Sequence, residues 1–295
     1  MSRALLGVVC AAALLAAAAP AGAEGWDASS ELNLTLTQNA YSDNWEGQEV
    51  GSLSWAVNSN TIIEKQLASV VHVKATTKLA FGQTHSQDLE TRDWRRPVKS
   101  TDLVDFEKVF RFTLGGYVDP FASGHLESQF VDQSDAAKTR YLNPQKLTET
   151  FGVARILIEE EEREWTARLG GGLRQYIDRD LLGEDTDERS TEVTSDGGIE
   201  FVSEFRAPLA DGKITLSSKL TAFQALFYSE SEALEGLENE DHWRAIDVGW
   251  ENTLTAGITD HLMVSLYLEM LYDREIDDGA RFKETLALGL AFNLL

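Results

Sequence analysis

Apolar residues recur at every second position along most of the chain, and helical spacing is rare. The end of the chain shows it best. Leu286, Leu288, Leu290, Phe292 and Leu294 point one way, and Ala287, Gly289, Ala291 and Asn293 the other. Leu262 to Tyr272 repeats the pattern, with Leu266 on one face and Ser265, Tyr267 and Glu269 on the other. Near the start, Leu32, Leu34 and Leu36 alternate with Asn33, Thr35 and Thr37. Further segments centre on Trp55, Val73, Phe110, Glu127, Val153, Leu169, Phe201, Leu220 and Trp250. Together they predict about twelve antiparallel strands, the number of a mid-sized transmembrane barrel. Around Val153 the pattern leaves two faces open: Leu147, Phe151, Val153 and Arg155, or Thr150, Gly152, Ala154 and Ile156.

The connections alternate in length. Short ones are expected near Glu64, at Asp119-Pro120, near Glu161, at Pro208 to Gly212 and at Thr259-Asp260. Long polar ones are expected at Asn39 to Gln48, Thr84 to Asp102, Asp132 to Pro144, Asp178 to Glu192, Ser229 to Asp241 and Asp273 to Gly279. Bacterial outer-membrane barrels have short periplasmic turns, longer outer loops and an even strand number. A soluble β-sandwich has no reason to sort its connections in this way.

The two faces differ most in charge. Val71, Val73, Leu79, Phe81, Phe106, Phe110, Trp165, Leu169, Phe201, Leu220, Trp250 and Leu254 lie on the face expected to meet lipid. A charge there at mid-bilayer costs on the order of 2–4 kcal/mol. Lys108 is the exception, expected near the outer interface with its stem along apolar surface and its amine in water. The opposite face, expected to line the lumen, carries Lys74, Lys78, Glu107, Arg111, Glu127, Arg168, Arg174, Glu200, Glu204, Arg206, Lys219, Asp247, Glu251 and Glu269, with His72, His125 and Lys283. Trp45, Trp165, Tyr228, Trp243, Tyr272 and Phe292 fall near strand ends and are candidates for aromatic girdles.

The first residues read as an export signal. Met1-Ser2-Arg3 is a positive start, Ala4 to Ala19 an apolar run, and Pro20-Ala21-Gly22-Ala23 a small-residue end. The expected division is therefore a signal peptide over 1–23 and an outer-membrane β-barrel over 24–295. Cys10 is the only cysteine and lies in the expected signal, so the mature part has neither a disulfide nor a thiolate metal site. The formal charge of -23 argues against a nucleic-acid partner. The expected partners are outer-membrane lipid and, through the alternating C-terminal strand, the machinery that inserts barrels. Oligomeric state is left open.

Leu34-x-Leu36-x-Gln38, Asn44-Trp45-x-Gly47 and Ser52-Leu53, with Lys99-x-x-Asp102, Asp105 and Gln129-Phe130, carry a resemblance. The chain resembles an uncharacterised family of bacterial outer-membrane β-barrel proteins, a domain of unknown function. Gln48 stands where a second glycine is expected. The resemblance implies the barrel and its location, and no activity.

Candidate chemistry is sparse, and no enzyme activity is expected. Thr84-His85-Ser86 and Asp241-His242 could supply a rim hydrolase, but the spacing associated with outer-membrane phospholipases is absent. Gly170-Gly171-Gly172 lacks the Lys-Ser/Thr end of a phosphate loop. No cofactor is expected, save a divalent cation on the acidic outer loops, whose carboxylates include Asp178, Asp180, Glu192, Glu230, Glu240, Asp273, Glu275 and Asp278. The leading functional expectation is a narrow pore or small-solute channel. A structural surface barrel with a closed lumen is the alternative. Charges of both signs can pair across a narrow bore and obstruct it, or segregate and leave a wet path. Gly170, Gly172, Gly249 and Gly289 on the inner face are expected to leave room for water.

Overall fold

The computed structural model describes residues 25–41, 49–135, 137–182, 188–259 and 262–293, with the side chains of 290–293 left aside. Twelve antiparallel strands close into one barrel. They are β1 (Asp27–Asn39), β2 (Ser52–Ala68), β3 (Val71–Ser86), β4 (Val98–Arg111), β5 (Asp119–Ser128), β8 (Gln145–Glu159), β9 (Glu164–Leu182), β10 (Arg189–Leu209), β11 (Ile214–Tyr228), β12 (Ile246–Gly257), β13 (Leu262–Tyr272) and β14 (Arg281–Asn293). A separate two-stranded sheet, β6 (Val131–Asp132) with β7 (Arg140–Tyr141), sits in the connection between β5 and β8. Each barrel strand pairs with its neighbours in chain order, and β14 returns to β1. The seam pairs Glu31–Thr35 of β1 with Gly289–Asn293 of β14, so every barrel strand has a partner on each side. No helix of the described residues is long and apolar enough to cross a membrane, which leaves crossing by strands open. The expected signal peptide at 1–23 lies outside the described residues.

Register fixes the faces. Leu254 pairs with Leu266 and Leu266 with Leu286, so three leucines lie side by side on the outside. Phe151, Leu169 and Phe201 are likewise exposed outward. Around Val153 the structure turns Leu147, Phe151 and Val153 out, because their alternates Thr148, Thr150 and Ala154 are buried.

The connections sort by length except that β9 and β10 are separated by six residues, fewer than the seven between β4 and β5, and their boundaries are shifted. Glu64 is inside β2, opposite Lys74, and the turn comes at Ser69-Val70. Asp119 and Pro120 already belong to β5, and Pro208 pairs with Thr215 in the sheet. The expected long loop from Asp178 to Glu192 is mostly strand, since β9 runs 19 residues and β10 runs 21. Crossing a bilayer takes about 9–11 residues. The polar outer thirds of these strands therefore extend the barrel wall as a projecting hairpin. Their charge had made them read as loop.

Glycines serve close packing. Gly152 and Gly170 face each other across β8 and β9. A Cβ on Gly170 would lie 2.5 Å from the Phe151 carbonyl oxygen, and one on Gly152 would collide with that of Leu169. A Cβ on Gly172 would meet the Phe223 ring at 3.1 Å and the Thr150 hydroxyl at 3.2 Å. Gly289 likewise lies against the Leu34 carbonyl. The room expected for water at these glycines is thus taken up by protein, except at Gly249, where the nearest atom is a Leu271 methyl at 3.6 Å.

Candidate functional site in the barrel bore

The bore is crossed by ion pairs between walls that are not neighbours in the sheet. Glu107 of β4 is 8 % exposed. It accepts Arg168 Nη2–H of β9 at 2.6 Å on Oε1 and Lys219 Nζ–H of β11 at 2.8 Å on Oε2. Since β4 and β11 lie nearly opposite in the strand order, these side chains form a bar across the lumen. Glu204 lies behind the bar, 3.8 Å from Arg168 and 3.9 Å from Lys219. A second crossing pair joins Lys78 of β3 to Glu251 of β12 at 3.0 Å. Toward the long-loop end, Arg174 of β9 holds Asp196 of β10 through two nitrogens and Asp247 of β12 at 2.7 Å.

Apolar groups fill the space between these layers. Phe121 and Phe223 face inward and are each 3 % exposed. The Arg174 guanidinium lies 3.7 Å from the Phe223 ring centre and that of Arg168 5.6 Å from Phe121. Thr150 donates its hydroxyl to Glu200 at 2.9 Å. Phe121, Phe223, Asp105 and Asp196 join the lumen residues expected from the sequence, each falling on the inner parity of its strand.

Most of the remaining inner-face residues pair more locally. Lys146 and Glu127 are 3.2 Å apart, Lys283 and Glu269 3.3 Å, and Arg111 and Asp119 3.2 Å. Lys74 of β3 is 3.9 Å from Glu164 of β9, a further pair across the bore, and His72 is 3.6 Å from Glu64 of neighbouring β2. Arg206 is exposed at the short-turn end, in register with Glu164. Below the Glu107 bar at that end is a cavity of about 220 Å³, lined by Glu64, His72, Lys74, Arg111, Glu164 and Glu204 among others.

On the outside, Lys108 lies over Phe110 with its amine 4.9 Å from the ring centre. Phe110 is closer to the short turn, so Lys108 leans toward that end and away from the long loops, where it was expected. Arg155, also outward, stacks on Tyr117 of the neighbouring turn at 3.5 Å. Trp165 donates its indole N–H to Ser203 at 3.0 Å and packs edge-on against Phe205. Tyr272 is half-buried at the end of β13. Tyr228 packs against Trp243, and Trp243 is buried with the inward Phe223 and Ala225. Trp243 therefore closes the long-loop end from within and faces no lipid, because the connection after β11 folds inward over the rim. Trp45 lies outside the described residues, as does the side chain of Phe292.

The loops are tied down by their own charges. Lys99 donates to Gln129 Oε1 at 2.5 Å, and Asp102 accepts the backbone N–H groups of Phe130 and Val131. Lys99, Asp102, Gln129 and Phe130 thus meet in one clasp holding the β5–β8 connection to β4. Arg140 of β7 bridges Asp132 at 2.6 Å and Asp178 at 2.7 Å, and Asn143 binds the same two carboxylates. Lys138 meets Asp180 at 3.0 Å, and Arg189 meets Asp135 at 2.7 Å. Asp88 accepts the Thr91 and Glu90 N–H groups and the Arg95 guanidinium, which hold its carboxyl down at about 2. Of the rim histidines, His85 packs on Trp94 with ring centres 4.9 Å apart, and His242 opens one turn of 3-10 helix.

No family model and no curated protein matches this chain. Solved structures similar to it include the following. One is an outer membrane channel from Pseudomonas putida F1, at 16% identity over 92% of this chain and 95% of that one, with a TM-score of 0.42. Another is the translocator domain of the autotransporter NalP from Neisseria meningitidis, at 9% identity over 98% and 95%, with a TM-score of 0.38. The third is the β domain of the Bordetella autotransporter BrkA, at 11% identity over 91% and 99%, with a TM-score of 0.35. The chain is, on its own geometry, a closed twelve-stranded antiparallel β-barrel with charge pairs across its bore.

Proposed function

We propose that this protein resides in the bacterial outer membrane as a structural or surface barrel whose lumen is held closed at rest. The observation that carries this reading is the Glu107 bar, a nearly buried carboxylate bridging Arg168 and Lys219 from the far side of the bore. In a low-dielectric bore such a bridge is strong once formed, and separating it would strand two cations without water. An ion passing the bar has to displace those contacts, and the rings of Phe121 and Phe223 occupy the space around them. The outward apolar face suits lipid, as does the closed sheet.

A second reading, a narrow small-solute pore, is favoured by the cavity of about 220 Å³ below the bar. The two readings part in planar bilayers. We expect refolded wild-type protein to be silent and Glu107→Gln to conduct, with anion preference from the released Arg168 and Lys219. The pore reading expects a small, weakly selective wild-type conductance, its preference shifted toward cations when Arg168 and Arg174 are both replaced by Glu. Steady wild-type conductance would overturn the closed-lumen reading.

A further inference from the structure

We propose that Asp105, His125 and Glu127 form a binding site for a divalent transition-metal ion of the Zn²⁺ type in the wall of the bore. One ligand atom from each lies within 4.8 Å of the other two. His125 Nε2 is 3.0 Å from Asp105 Oδ2, and His125 Nδ1 is 4.0 Å from Glu127 Oε2. The donors are held by the sheet itself. Asp105 is directly opposite Glu127 across β4 and β5, and Glu107 directly opposite His125. All four side chains share the inner face, so three carboxylates and an imidazole occupy one two-by-two tile of the wall.

Like charges directly opposite on paired strands are unfavourable unless a cation lies between them. The candidates for that role are few. Lys219 is taken by Glu107 at 2.8 Å. Lys78 is opposite Asp105 in the sheet but engaged by Glu251 at 3.0 Å, and His125 itself lies between the two carboxylates. Lys146 of β8 is opposite Glu127 and 3.2 Å from it, with a flexible stem and a side chain 39% exposed. That lysine can swing toward water, whereas the backbone positions of Asp105 and Glu127 are held opposite each other by the sheet register. An imidazole nitrogen with two carboxylate oxygens suits Zn²⁺, which binds such donors at roughly 2.0–2.2 Å and completes four-coordination with water. Ca²⁺ and Mg²⁺ prefer oxygen alone. Drawing the three donors onto one ion needs a contraction on the order of 1 Å, within reach of side-chain rotation. In this arrangement Lys146 is a competitor for the metal, occupying the position of positive charge until the ion displaces it.

The site is independent of whether the bore conducts. It is tested on the full mature chain refolded in detergent, with Co²⁺ as a visible-absorption probe and Zn²⁺ as competitor. We expect one Co²⁺ per chain with d–d bands of nitrogen and oxygen ligation, displaced by Zn²⁺. His125→Ala and the isosteric Glu127→Gln should each weaken binding about tenfold or more. Lys146→Gln should tighten it, because the competitor is gone. Each variant is checked for barrel formation by its heat-dependent gel migration. If His125→Ala fails that check, Glu127→Gln and Lys146→Gln carry the test. Absence of binding to wild type overturns the proposal. So does a Co²⁺ spectrum unchanged by the ligand variants, which would place the ion on the acidic loops.

Discussion

Glu275 shows how a single side chain at the mouth of this barrel is set by its neighbours. Desolvation beneath the loop and the carboxylates of Asp273, Asp247 and Asp196 push it up to about 7. A carboxyl raised in the folded state stabilises its surroundings fully below its unfolded value, and the contribution fades as pH rises through the folded one. We therefore expect the amides of the connection around Asp273–Gly279, each rate referred to its intrinsic exchange rate at that pH, to be better protected near about pH 5 than near about pH 8, and Glu275→Gln to remove the difference. Equal protection at both pH values in the wild type would show that Glu275 is an ordinary solvated acid. The acidic character of the loop is plain in the sequence. The approach of Asp196, some eighty residues earlier in the chain, is not. Glu107 teaches the same lesson: its inward orientation follows from strand parity, but its partners, Arg168 and Lys219, come from other walls.

At the scale of the strand, the test lies between adjacent residues. Leu266 sits outside between Leu254 and Leu286, and Ser265 sits inside between Thr255 and Ala287. We expect Leu266→Arg to cost about 2–4 kcal/mol or to block insertion, and Ser265→Arg to be much better tolerated. Folding into lipid vesicles with a denaturant titration measures both, and equal costs would mean that the faces or the membrane are misassigned. Strand existence was legible because period-two alternation survives even where mean hydropathy is low. Strand length was not. The polar outer thirds of β9 and β10 read as loop, since a sequence shows polarity but not whether backbone hydrogen bonds continue. The turn near Glu64 was displaced for the same reason: a charge facing the lumen looks like a turn signal until its register is known.

For the molecule as a whole, closure is the property with consequences. A barrel with every strand paired on both sides resists detergent denaturation until it is heated. We expect the mature chain to fractionate with the outer membrane and to change its gel mobility on boiling. Recovery as a soluble periplasmic species would remove the membrane reading. The network across the bore adds to closure, as Lys78–Glu251 and the Glu107 bar tie opposite walls together.

The alternation of apolar and polar positions by itself determined an antiparallel barrel of about twelve strands, with its apolar outer face and its charged lumen, because side-chain direction in a strand follows from parity alone. The order of the connections was legible in part, but local polarity overstated the loop between β9 and β10. Which lumen charges meet was decided by the tertiary structure. Pairing across a bore depends on strand tilt and on the shear at which the sheet closes, and both are set by all twelve registers together. That is why Arg168 and Lys219 converge on Glu107, why Trp243 turns inward, and why Asp105, His125 and Glu127 share one tile of the wall.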